Sequence, residues 1–249
     1  MPLFQFAAPA RFFPLAGKLS VGFAVIAVIL ATVGLYIGFF VAPTDYQQGE
    51  SYRIIFIHVP AAWMGMFIYI VMACWAAAAL IWHTRVSGLM AQALAPTGAM
   101  FTFIALWTGA FWGRPTWGSY WEWDARMTST LVLLFLYFGY MALRAAIDDP
   151  RRADRASGAL ALVGVVNIPI IYFSVRWWNT LHQGASVSVT SAPKMASIML
   201  TAMLIMTFAC WAYTIAVTLY RVRSLIIESE AHSGWLQESL TNSDGKQDG

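Results

Sequence analysis

Six stretches of 17 residues or more contain no aspartate, glutamate, lysine or arginine, and this pattern restricts the fold more than any single motif does. They are 21–41, a span within 54–82, a span within 88–112, then 127–143, 158–175 and 195–220. The hydrocarbon core of a bilayer is ~30 Å thick and takes about 20 apolar residues of helix to cross. A barrel strand crosses with roughly ten, and in lipid only a helix satisfies its own peptide groups within one segment. The composition agrees, since 59% of the 249 residues are hydrophobic and 11% charged, against roughly 25% charged in an ordinary soluble domain. The expected fold is all-α, a polytopic membrane protein with six transmembrane helices. The second helix is expected to enter the bilayer near Pro60, because proline is tolerated in a first helical turn.

Lysine and arginine orient the chain. With a cytoplasmic N-terminus, that side receives Arg11, Lys18, Arg85, Arg144, Arg151, Arg152, Arg155, Arg221, Arg223 and Lys246. The other side receives Arg53, Arg114, Arg126, Arg176 and Lys194. A cationic excess marks cytoplasmic loops, so both termini are placed inside. Residues 1–227 read as one six-helix membrane domain. Residues 228–249 turn polar and Ser/Gly/Asp-rich and read as a mobile cytoplasmic tail. No A-x-A-like cleavage site follows the first span at the right distance, so that span reads as a retained anchor.

Several activities lose their basis. Ion-coupled carriers keep an ionisable residue inside the bilayer, and none of the six runs has Asp, Glu, Lys or Arg. A nucleotide-driven pump needs GxxxxGK[ST], and Gly17-Lys18 and Gly245-Lys246 lack the rest of it. Cys74 and Cys210 form no CxxC or CxxCH, so neither a redox pair nor covalent haem attachment is expected.

The segment WGSYWEWDAR, 117–126, falls in the loop between the third and fourth spans, on the outer side. Trp117, Tyr120, Trp121 and Asp124 would form one stripe on a helix, whereas Trp117, Ser119, Trp121 and Trp123 would share one face of an extended chain. Spacing does not choose between them. Tryptophan and tyrosine collect at both membrane interfaces as anchors, yet four of the twelve tryptophans lie at 112, 117, 121 and 123, and Trp177-Trp178 sit on the next outward loop. Concentration on one side, mixed with Arg114, Glu122, Asp124 and Arg126, favours a platform for a flat apolar ligand bearing acidic groups.

Histidine placement narrows the ligand. His83 and His232 fall on the cytoplasmic side, while His58 precedes the second span on the outer side and His182 follows Trp177-Trp178. An iron porphyrin takes one imidazole on each face, seeks aromatic surroundings, and carries two propionates that suit guanidinium groups. His58 and His182 are thus candidate axial ligands, and Arg53, Arg114, Arg126 and Arg176 candidate propionate partners. Zinc fits less well, because further ligands at recognisable spacing are missing.

Trp117-Gly118 followed by Trp121, Trp123-Asp124 and Arg126 resembles the WGxxWxWD signature of the haem-handling proteins of cytochrome c maturation. Six spans, one motif between spans three and four, and one outward histidine on either side of it resemble the CcmC family in particular; CcmF and CcsA are longer. The resemblance covers spans one to six and implies non-covalent haem b (iron protoporphyrin IX) held by His58 and His182. It implies a bacterial inner-membrane protein that presents haem to the periplasmic chaperone CcmE, in association with CcmD, the transporter subunits CcmA and CcmB, and lipid, with no nucleic acid. Trp117, Gly118, Tyr120, Trp121, Trp123, Asp124 and Arg126 are the implied haem or chaperone motif. No bond-making side chain is identifiable, so a presenting factor is expected rather than an enzyme. A b-type cytochrome subunit and a bilayer-spanning haem channel, with Asn167, Pro169 and Pro96 as its only interior hints, stay open as alternatives.

Overall fold

The computed structural model describes residues 2–182, 187, 192, 193 and 195–244, with the side chains of 2–4 and 240–244 outside that description. Lys194 and Lys246, both used in the charge argument, lie outside the described residues. Among the described residues eight α-helices and no β-strand follow one another. They are α1 Pro9–Tyr36, α2 Ile55–Trp82, α3 Arg85–Trp117, α4 Ala125–Ala145, α5 Pro150–Gly164, α6 Asn167–Trp177, α7 Ser197–Glu230 and α8 Gly234–Asp244. Among the described residues, six segments are long and apolar enough to cross a membrane: Pro9–Val41, Glu50–Trp82, Arg85–Trp117, Ala125–Ala145, Pro150–Trp177 and Ser197–Glu230. The predicted runs lie within them, apart from two residues at the start of the sixth.

The spans alternate in direction, so the loops after α1, α3 and α6 share one end of the bundle, here the motif end. α1 packs mainly on α7, α2 on α3, and α4 on α5 and α6. The main core cluster lies where α2, α3 and α4 meet, around Met64, Ile68, Tyr69, Met72, Leu133 and Tyr137. Small residues let these helices approach, the usual solution where lipid supplies no hydrophobic drive between helices. The Tyr137 hydroxyl donates to the Gly65 carbonyl at 2.8 Å, and the Tyr137 ring fills the place a side chain at Gly98 would need.

Three features that the sequence reading did not give have local causes. First, α2 begins at Ile55, five residues before Pro60, led in by a 3-10 turn over Glu50–Ile54. Pro60 therefore lies inside the helix and withholds a donor from the carbonyl four residues back. Second, the fifth span is two helices, broken at Val165 and Val166. Pro169 cannot donate to the Val165 carbonyl, which instead accepts from Ile168 N at 3.0 Å. Asn167 at the break donates to the Ser129 carbonyl of α4 at 2.9 Å. Third, α1 ends in a π-helical turn, Ile37–Val41, and Arg53 donates to the Gly38 carbonyl there at 2.6 Å. A cation on the last carbonyls suits a helix C-terminus.

At the opposite end, Arg85 pairs with Glu230 at 3.1 Å and Arg144 with Asp154. Within the polar tail, α8 brings Leu236 into a fully buried position beside Phe13, Leu89, Val222 and Ile226. The Trp235 ring meets Phe13 edge-on at 6.2 Å, and its indole N–H donates to Glu230 at 2.9 Å.

Candidate functional site

The motif is neither one helix nor a strand: its first residue ends α3 and its last two begin α4. α3 runs through Trp117 and stops because Gly118 takes φ 91°, a left-handed conformation that suits glycine. An irregular stretch follows to Asp124, the N-cap of α4, whose carboxylate accepts from Met127 N at 2.7 Å. Both patterns weighed from spacing, the helical stripe and the alternating strand, are thereby set aside.

This loop sorts its aromatic rings. Trp117 turns inward and meets the His182 ring at 6.0 Å. Trp121 is partly buried and packs edge-on against Trp123 at 5.4 Å. Trp123 and Tyr120 face outward, 76% and 55% exposed. Tyr120 lies against Phe111 and under the Arg114 guanidinium. The indole N–H groups of Trp117 and Trp121 and the Ser119 hydroxyl are buried without a hydrogen-bond partner among the described residues. Buried donors are ordinarily paired, so three within five residues mark a place prepared for acceptors.

His58 and His182, 124 positions apart in the chain, meet at the motif end. His58, in the first turn of α2, is buried, and its ring centroid lies 6.2 Å from that of His182 with the planes at 82°. With metal–nitrogen bonds of about 2 Å, two imidazoles on opposite faces of one iron have centroids roughly 6 Å apart. The spacing therefore fits a single iron between the rings. His58 Nδ1 lies 3.0 Å from Thr108 Oγ1 of α3, and the Trp112 ring, anchored through its N–H to Gln48 at 2.7 Å, meets His58 edge-on at 5.6 Å. His182 N donates to Thr180 Oγ1 at 2.9 Å. Burial, and then the Arg126 guanidinium, hold the His182 imidazole down to about 4, so at neutral pH it is uncharged with a lone pair to offer.

Both histidines line a cavity of about 50 Å³ with Ala62, Gly109, Trp117 and Arg126. Arg126 also lines a smaller cavity of about 20 Å³ with Gly65, Thr102 and Thr130, and it donates to the Ile171 carbonyl of α6 at 3.0 Å. Pockets for drug-sized ligands run to roughly 300–1,000 Å³. At about 50 Å³ the cavity between the histidines is far smaller than that range, and Trp117 and Arg126 are among the side chains that bound it.

The candidate arginines divide. Arg126 stands beside the histidines. Arg53 is engaged with Glu50 and the Gly38 carbonyl, and Arg114 donates to the Gly118 carbonyl. Arg176, at the end of α6, is exposed. Glu122 is exposed in the loop. Thr108 and Gly109 escape a reading of the sequence, because an interior threonine and glycine fifty residues from His58 carry no local signal. Among the described residues no three His, Cys, Asp or Glu gather as a metal cluster.

Comparison with known proteins follows the same lines. Residues 2–237 match the family model described as Heme exporter protein C. The chain is 48% identical over 239 residues to Heme exporter protein C of Escherichia coli K12, covering 96% of both. It is 46% identical to the Bradyrhizobium diazoefficiens protein of the same name, over 94% of this chain and 88% of that one. The Haemophilus influenzae counterpart is 43% identical over 94% and 96%.

Proposed function

The chain belongs to the heme exporter protein C family, and from that premise we propose that it holds haem at the outer face of the bacterial inner membrane and presents it to the periplasmic chaperone CcmE. The observation that carries this reading is the meeting of His58 and His182 at iron-sharing distance beside Trp117 and Arg126. Both termini are cytoplasmic, as the lysine and arginine bias indicates, which turns the motif end to the periplasm.

Haem b is cargo, bound without a covalent bond between the two imidazoles. Arg126 is the cation nearest the ligands, and Arg53, Arg114 and Arg176 at the same end are further candidates for the propionates. The unpartnered indole N–H groups of Trp117 and Trp121 suit the same acceptors. Tyr120 and Trp123, facing outward, suit the chaperone rather than the iron. CcmD and the transporter subunits CcmA and CcmB complete the assembly, and residues 1–227 act as its haem-holding unit. The protein works as a scaffold, and retention is finite so that cargo can leave.

Purified protein should show a bis-imidazole haem spectrum that His58→Ala and His182→Ala each disrupt, with haem content falling in both. Wild-type content and an unchanged spectrum in both variants would overturn the axial assignment. Quinol oxidation by the purified protein would instead indicate an electron-transfer subunit.

A further inference from the structure

We propose, resting on the reading of His58 as an iron ligand, that Thr108 is a positioning residue that fixes the His58 tautomer and leaves Nε2 free for iron. A threonine hydroxyl has one proton, and that of Thr108 is committed: Oγ1 donates to the Ile104 carbonyl one turn back on α3, at 2.6 Å. The more distant Ala105 carbonyl, at 3.4 Å, draws on the same proton. Toward His58 the oxygen can therefore only accept, so Nδ1, 3.0 Å away, carries the hydrogen. A neutral imidazole has a single N–H, and Nε2 keeps its lone pair.

The rest of this face of α3 holds the ring in that orientation. A methyl on Gly109 would lie 3.0 Å from His58 Cε1 and 3.5 Å from Nδ1. The missing β-carbon thus lets the imidazole lie close against the helix, where Thr108 can reach it. Trp112 closes the other edge. Such an Nδ1–H···O bond sets both ring orientation and ligand basicity, since a donor that shares its proton pushes more electron density toward the metal. It favours ferric iron and lowers the reduction potential of the bound haem.

The experiment compares full-length, haem-loaded wild type, Thr108→Val, Thr108→Ser and His58→Ala. Thr108→Val removes the acceptor at nearly constant shape; haem should dissociate roughly 10- to 100-fold faster and the midpoint potential should rise. Thr108→Ser keeps the oxygen and should restore both. Wild-type rate and potential in Thr108→Val, with ligation lost in His58→Ala, would overturn the role of Thr108 alone. A Thr108→Ser variant that behaves like Thr108→Val would assign the effect to packing and also overturn it. An unchanged spectrum in His58→Ala removes the ligand reading and this inference with it. Haem-free wild type labelled with ¹⁵N-histidine, its His58 signals identified by their loss in His58→Ala, gives an independent reading: protonated Nδ1 and unprotonated Nε2 are expected, and the reverse rejects the proposal.

Discussion

Asp124 carries two demands on one side chain. Its carboxylate caps α4 through Met127 N, and two residues later α4 sets Arg126 beside the histidines. Loss of an N-cap costs about 1 kcal/mol, while asparagine caps as well as aspartate. Asp124→Ala should therefore lower thermal stability, fray the start of α4 and reduce haem retention through Arg126, whereas Asp124→Asn should keep the cap and most of the haem. Retention measured on both variants separates cap from charge: equal loss in both would show that the negative charge itself is required. Two residues of the same motif likewise differ in surroundings: Trp117 packs on His182, while Trp123 faces outward.

Helices place these residues through their ends and breaks. Gly118 ends α3 just after Trp117, which meets the His182 ring, and the break at Val165 lets α6 run to the motif end with its Ile171 carbonyl facing Arg126. At the other end, α8 docks through Leu236, fully buried against α1, α3 and α7. Truncating a buried leucine costs about 2–5 kcal/mol, more than a helix of this length retains by itself in water. Leu236→Ala should release α8, and limited proteolysis in membranes should then cut the tail readily while the spans stay intact. Rapid cutting of the tail in wild type and variant alike would favour the mobile-tail reading of 228–249.

The whole molecule divides its labour between two ends. The opposite end is tied by Arg85 to Glu230 and Arg144 to Asp154, and the motif end gathers two histidines from distant segments. A ligand that bridges α2 and the segment after α6 binds only the folded protein and stabilises it by mass action, about 2.7 kcal/mol at a hundredfold excess over Kd. Haem should accordingly raise the melting temperature of the wild type in detergent and leave the doubly substituted His58→Ala, His182→Ala protein unmoved. An equal rise in both would place the haem elsewhere.

The sequence by itself determined six helical spans, the end of the bundle that carries the aromatic motif, and the family signature. Each is a property of contiguous residues: lipid forces helices on long apolar runs, and WGSYWEWDAR is read without reference to anything distant. Tertiary structure alone decided that the His58 and His182 rings come to 6.2 Å of one another, that Arg126 stands beside them while Arg53 is spent on Glu50 and Gly38, and that Asp124 is a cap. It also decided that Thr108 and Gly109 lie against the His58 ring. Those facts depend on how α2, α3, α4 and the segment after α6 come together at the motif end, which is set by side-chain packing between helices distant in the chain and which no local spacing records.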